Sequence, residues 1–158
     1  MSRDIHRLVS NRPLWIGGVL IDYELGFEAH SDGDILIHAL TEALLGSLAL
    51  GDLGTHFPNT DSAYKDKESS YFLRYADRLV KLRGYKVCNI DIQITLERPK
   101  LSPYIPKMIE KIASLLTINP EQISIKAGTN EGMGYIGQGL AAEATCVVLV
   151  EKTVGDKH

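Results

Sequence analysis

The chain is short of several things, and each shortage narrows what it can be. It has two cysteines, Cys88 and Cys146, in 158 residues. They lie far apart in apolar, strand-like surroundings, and their spacing fits neither a zinc knuckle nor a redox pair. Both read as small core hydrophobes kept reduced, which points to a cytoplasmic protein. Long apolar runs are missing too. The stretch 144–150 falls far short of the roughly 20 residues that cross a bilayer, so no membrane association is expected. No basic start followed by an apolar segment marks a secretory signal. Positive charge is not concentrated either: 17 basic residues are scattered among 20 acidic ones, for a net charge of −3. A nucleic-acid binder carries a basic stripe, so no nucleic-acid partner is expected.

What is present is an ordinary globular composition, 44% hydrophobic and 23% charged. A chain of this length buries about 70% of its unfolded surface. That suffices for one domain over residues 1–158 without disulfides or a structural metal, so any metal site is expected to be functional.

Trp15, Ile16, Gly17, Gly18, Val19, Leu20 and Ile21 read as two short strands around a Gly-Gly turn, a hairpin signal. Ser31 is a suitable N-cap, with Asp34 three residues on as the acidic half of a capping box. Ile35, Leu36, Ala39, Leu40, Ala43 and Leu44 then recur at helical spacing, predicting a helix over residues 32–48. Residues 51–70, rich in Gly, Pro, Asn and charge, read as one loop of about 20 residues, a length typical of functional lids. Helical spacing resumes over 71–83 and stops at Gly84. A strand follows over 87–96 with Ile90, Ile92, Ile94 and Leu96 on one face, then a helix over 103–117. Strands at 123–127 and 144–151 flank a Gly-rich segment, 128–139. The alternation predicts an α/β domain built on one sheet covered by helices.

Asp4 and His6 stand two apart in an extended segment, so both side chains point from the same face. His38 lies on the first helix in a polar stripe with Asp34 and Glu42, from which it can lean toward a neighbouring strand. Two histidines and a carboxylate leave a tetrahedral zinc ion one open position, the pattern of a catalytic site. A D-x-H pair is also common without a metal, and a histidine on a helix surface often has only local partners, so spacing alone leaves both readings open. His30, Ser31, Asp32, Gly33 and Asp34 open a helix, where free N–H groups favour anions; the acidic pair there fits a plainly capped helix equally well. The segment from Lys126 to Gly132 can present N–H groups to phosphate and the Glu131 carboxylate to Mg²⁺, or serve only to reverse the chain.

The order of these motifs is far more specific than any one of them. Asp4-Ile5-His6-Arg7-Leu8, Ile16-Gly17-Gly18-Val19, Ala29-His30-Ser31-Asp32-Gly33-Asp34 with His38-Ala39-Leu40, Gly51-Asp52-Leu53-Gly54 and Phe57-Pro58-Asn59-Thr60-Asp61 follow in series. Over residues 4–152 the chain resembles the 2-C-methyl-D-erythritol 2,4-cyclodiphosphate synthases of the non-mevalonate isoprenoid pathway. The resemblance implies an α+β subunit of ferredoxin-like character, with a mixed sheet, assembled as a homotrimer with active sites between subunits. It implies that 4-diphosphocytidyl-2-C-methyl-D-erythritol 2-phosphate cyclises through attack of its own 2-phosphate on its β-phosphorus, with loss of CMP. Such chemistry needs no protein nucleophile; the protein folds the substrate and neutralises phosphate charge.

By the same resemblance Asp4, His6 and His38 hold Zn²⁺ or a similar divalent metal, and a second ion, Mg²⁺ or Mn²⁺, bridges the diphosphate with help from Glu131. His30 and Ser31 take the 2-phosphate side, and Asp52 and Gly54 the methylerythritol hydroxyls. Phe57 and Asp61 belong to a mobile lid. On the neighbouring subunit Pro99, Lys100, Leu101, Ala127 and Thr129 surround the cytidine and its phosphates. The catalytic set implied is Asp4, His6, His38, His30 and Glu131.

The chain departs from the family pattern in places. Only Met1, Ser2 and Arg3 precede Asp4, which predicts a shortened first strand and thinner support for Asp4 and His6. Asn59 stands where Asp is usual, Gly128 where Thr is common, and Gln138 where an Arg is usual. The 139–143 segment is two residues shorter than the common form. The Gln138 change predicts weaker capture of an isoprenoid diphosphate on the trimer axis. Two further readings use the same residues: a metal-dependent phosphohydrolase, and a catalytically weak trimer that binds isoprenoid diphosphates.

Overall fold

The first strand, β1 (Ser2–Ser10), has few apolar residues of its own and is built by backbone pairing with its neighbours in the sheet. We describe the protein from a computed structural model, which covers residues 1–58, 60–65 and 67–154; Asn59 lies outside them. The expected hairpin is present as β2 (Leu14–Ile16) and β3 (Val19–Ile21), and β4 (Leu25–Phe27) follows. Next come α1 (Ile35–Ser47), α2 (Leu53–His56), α3 (Ser69–Leu82), β5 (Tyr85–Thr95), α4 (Ile105–Leu116), β6 (Ile123–Gly128), α5 (Gly134–Gly137) and β7 (Ala141–Lys152).

Five strands form one mixed sheet in the order β4-β1-β7-β5-β6. Only β5 and β6 run parallel; the other pairs are antiparallel. The sheet is therefore the mixed α/β arrangement expected. Ile90, Ile92 and Ile94 of β5 and Ala142, Ala144 and Cys146 of β7 are buried. α1 packs on β7 and β1 and, on its other side, on α3, while α4 lies against β6. With neighbours on both sides, α1 is apolar nearly all round, and nine of its residues are buried. Alternation leaves Val147 and Leu149 on the opposite face of β7, 48% and 62% exposed. Among the described residues no helix is long and apolar enough to cross a membrane.

Three expectations need correction. Helix α1 begins at Ile35, not at residue 32, and its cap is Asp34 rather than Ser31. The Ser31 hydroxyl instead accepts the Gly33 N–H at 3.3 Å, a local turn that competes with helix formation. The 51–70 stretch is not one loop: α2 and a 3₁₀ turn over Ser62–Tyr64 interrupt it, each capped by an aspartate, Asp52 and Asp61. Short capped turns lack the repeated apolar face by which longer helices are recognised. Cys146 is buried as expected, but Cys88 is only half-buried. A register shift between Val87 and Asn89 turns it out of the core.

Asp34 ties these parts together. One carboxylate oxygen accepts the Ile37 and Gly17 N–H groups at 3.0 and 2.9 Å, and the other accepts the Gly18 N–H at 2.7 Å. The Gly-Gly turn, with φ of 62° and 72°, suits a tight hairpin and leaves both N–H groups free to point at the helix start. Asp34 is 1% exposed. Burial pushes its carboxyl from 3.8 up to about 6, against the pull of the three N–H donors.

A folded-state value above the unfolded one means that the folded protein binds the extra proton between them. The contribution of Asp34 to stability is thus full below 3.8 and lost as the pH rises through about 6. An NMR titration of the Asp34 carboxyl carbon should give a midpoint near that value. A midpoint below the ordinary carboxylate range would show that the N–H donors outweigh burial. Backbone space is tight at Gly26, where a Cβ would lie 2.3 Å from the carbonyl oxygens of Arg12 and Pro13. Gly26→Ala should lower unfolding free energy by about 3 kcal/mol in urea denaturation, because backbone rather than a flexible side chain must yield.

Candidate metal centre and cleft

Asp4 and His6 pair with Ala144 and Ala142 of β7, so both project from β1 toward the helices. His38 lies one turn into α1, its N–H bonded to the Asp34 carbonyl at 3.0 Å. Its Nδ1 is 3.2 Å from Asp4 Oδ2, and His6 Nδ1 is 3.9 Å from the same oxygen. One ligand atom from each residue lies within 4.8 Å of the other two. The strand and helix therefore do meet, which spacing alone left open.

The surroundings suit a metal. His6 Nδ1 lies 3.1 Å from the Gly33 carbonyl oxygen. A carbonyl only accepts, so Nδ1 carries the proton and Nε2 keeps its lone pair. His38 turns Nδ1 toward Asp4 and Nε2 toward the Ser69 hydroxyl, 2.8 Å away. Two imidazoles and a carboxylate, all half-buried, are a donor set for zinc or another divalent transition metal. Burial pulls the His6 imidazole below its ordinary value; Asp4 opposes that pull and His38 adds to it. Burial also pulls on His38, but the hydrogen bond and charge of Asp4, backed by Asp34 and Asp32, carry it above the ordinary value.

Beside this cluster a cleft of about 990 Å³ is lined by His6, His38, His30, Ser31, Phe57 and Asp61, among others. Two cations, Arg12 and Lys65, also line it. The Arg12 guanidinium donates to the Ala29 and Ser31 carbonyls at 2.7 and 3.2 Å, which holds the His30 turn in place. Phe57 is buried, its ring 4.7–4.9 Å from those of Phe72, Tyr75 and Tyr64; it anchors the 57–64 segment. Asp52 and Gly54 are not among the lining residues. Asp52 instead accepts the Thr55 N–H and hydroxyl at 2.8 and 2.7 Å, bonds that hold its carboxyl below the usual range.

The remaining expected residues gather elsewhere. Parallel pairing sets Ala127 beside Ile94 and Gly128 beside Thr95, so the segments after β5 and β6 leave the sheet together. Pro99, Lys100 and Leu101 belong to the first, and Thr129 and Glu131 to the second. Glu97 joins them: its Oε1 accepts the N–H groups of Asn130 at 2.7 Å and Gly132 at 3.3 Å. Asp4, Ala144, Ile94 and Ala127 form one row across the sheet. Three strand spacings, about 14 Å, therefore separate Asp4 from Ala127. The structure brings the metal cluster, His30 and Ser31 together, and keeps the segments after β5 and β6 at the other side of the sheet. Sequence reading missed Arg12, Asp32, Ser69 and Glu97 as site residues. Their roles rest on contacts between distant segments, which leave no periodic trace.

His38→Ala should abolish stoichiometric zinc uptake in elemental analysis while leaving circular dichroism unchanged, since the core does not depend on the ion. In the unaltered protein, zinc competes with the proton on His38. Zinc affinity in chelator competition should therefore fall as the pH drops through the His38 value, which lies above 6.5. Affinity independent of pH there would mean that His38 is not a ligand.

Known proteins match this geometry along almost the whole chain. The YgbB family profile matches residues 1–151. A 2-C-methyl-D-erythritol 2,4-cyclodiphosphate synthase from Chloroherpeton thalassium is 50% identical over 149 residues, 94% of this chain and 95% of that protein. One from Clostridium novyi is 46% identical over 152 residues, 96% and 97% of the two chains. A solved structure of such a synthase, in a CDP-bound form, gives a TM-score of 0.88 at 39% identity over 95% of this chain and 97% of that one. The IspF–CDP complex of Plasmodium falciparum gives 0.86 at 34% identity, covering 97% and 94%. Profile, sequence identity and superposition agree over the same residues, and the chain belongs to the YgbB family, that of the 2-C-methyl-D-erythritol 2,4-cyclodiphosphate synthases.

Proposed function

We propose that the chain converts 4-diphosphocytidyl-2-C-methyl-D-erythritol 2-phosphate into 2-C-methyl-D-erythritol 2,4-cyclodiphosphate and CMP, as a phosphorus–oxygen lyase. The observation that carries this reading is the Asp4, His6 and His38 cluster opening on a large cleft in a chain that matches this family over residues 1–151. A 2-phosphate oxygen attacks the β-phosphorus, the bond from that phosphorus to the oxygen bridging it to CMP breaks, and CMP leaves with the bridging oxygen. Asp4, His6 and His38 would hold Zn²⁺, which when bound would supply Lewis-acid polarisation at the β-phosphate, and Glu131 would help hold Mg²⁺ or Mn²⁺, which would neutralise diphosphate charge.

The protein side of the reaction is positioning and charge. His30 and Ser31 hold the 2-phosphate in line, on a turn fixed by Arg12. Arg12 and Lys65 offset phosphate charge within the cleft. Asp52 and Gly54 lie at the start of α2, next to the cleft-lining Leu53, and reach the methylerythritol hydroxyls from there. Phe57 and Asp61 cover the site.

The nucleotide side is completed by a second subunit. Ala127 stands about 14 Å across the sheet from Asp4, and Pro99, Lys100, Leu101 and Thr129 belong to the segments that leave the sheet on its side, which supports sites shared between subunits. The face of the sheet without helices, with Val147 and Leu149 exposed, is the surface we assign to homotrimer contacts. With both thiols free, we place the enzyme in the cytoplasm.

Incubating the protein with the cytidyl substrate, Zn²⁺ and Mg²⁺ should give the resonances of CMP and a cyclic diphosphate in ³¹P NMR. Free phosphate in their place would make the protein a phosphohydrolase. An unchanged spectrum with fully metallated protein would leave a binding trimer.

A further inference from the structure

Ser69, the first residue of α3, is 1% exposed. A hydroxyl at a helix start ordinarily faces water or caps its own helix. This one does neither. The N-cap of α3 is Glu68, whose side chain makes no capping bond. The Ser69 N–H goes instead to Asp32 Oδ2, 2.8 Å away and 37 residues upstream. Its hydroxyl bonds the other oxygen of the same carboxylate and lies 2.8 Å from His38 Nε2. Asp32 is held in turn by the Asp34 N–H at 3.1 Å.

At the Ser69 contact the protons can be placed in only one way. A carboxylate only accepts, so the single hydroxyl proton goes to Asp32 and a lone pair of Ser69 Oγ faces His38. His38 Nε2 must then bring the proton to that contact. Nδ1, beside the Asp4 carboxylate, donates to it when no metal is bound, and it is the one ring atom left to give up its proton to a metal.

We infer that Ser69 is a positioning residue of the metal centre: with Asp32 behind it, it fixes the tautomer and the rotation of His38 so that Nδ1 is the ligand atom. This rests on the proposed metal site and adds to it a residue from a different helix. It has a mechanical corollary. The residues just before α3 include Ser62, Tyr64 and Lys65 of the cleft wall, so Ser69 pins one end of that wall to the metal centre.

Two measurements test the inference. In zinc-loaded unaltered protein, ¹H–¹⁵N NMR of the histidine rings should find the His38 proton on Nε2, coupled through space to Ser69, and the metal on Nδ1. The Ser69→Ala variant should lose about 10–100-fold in zinc affinity, measured by chelator competition, because outer partners of metal-bound histidine contribute at that level. A His38 proton on Nδ1, or a folded Ser69→Ala variant that binds zinc as tightly as the unaltered protein, would overturn the assignment while leaving the metal site standing. Failure of the unaltered protein to take up zinc would remove both. Should Ser69→Ala not fold, the ring-proton measurement decides by itself.

Discussion

The carboxylate of Asp34 is the fixed point of this protein. It is buried, it caps α1, and it holds the Gly17–Gly18 turn against the helix start. Everything near the metal centre takes its position from that arrangement. His38 is one turn further along the same helix, so the cap sets how far it stands above β1. Gly33, adjacent to the cap, offers the carbonyl that orients His6. Asp32, one residue earlier, receives the start of α3. Three consecutive residues, Asp32, Gly33 and Asp34, thus become a junction between a hairpin, two helices and a strand. Burial of a carboxylate is costly unless donors surround it, and here three backbone N–H groups offset part of that cost.

Much of this was legible in the sequence, for reasons that particular residues make plain. Strand alternation puts Asp4 and His6 on one face whatever the tertiary structure, and α1 is apolar enough to be recognised from its spacing. The hairpin follows from Gly-Gly, which can take two positive φ angles in succession. The family order of motifs then joined these pieces into one site. What escaped detection was local competition and distant contact. Ser31 and Asp34 are both good caps, and only burial of the second against the hairpin turn decides between them. Ser69 and Glu97 look like ordinary surface residues; 31 and 33 positions respectively separate them from the groups they hold, His38 and Asn130. The short capped turns within 51–70 have no periodicity to read.

The thin support expected for Asp4 and His6 is not what the strand shows. Ser2 already pairs with Cys146, and Arg3 with Thr145, so Asp4 enters a sheet two residues deep. His6 gains apolar and aromatic neighbours from Phe27 and His38, with ring centroids 5.9 and 5.8 Å away. Support for the ligands comes from across the sheet and from above it, where the residues are far apart in the chain.

The row that runs from Asp4 through Ala144 and Ile94 to Ala127 carries a consequence for inheritance as well as for chemistry. On the proposed reading, one chain holds the metal half of a site at one side of its sheet and the nucleotide half at the other. In an assembly that joins such halves between neighbours, a lesion in one half spoils a chain's contribution to one cleft and spares its contribution to the next. Two inactive chains, each damaged in a different half, restore a whole cleft when mixed. The same division means that a single lesion of either kind acts on assemblies in proportion to its share of the chains, never on one chain alone.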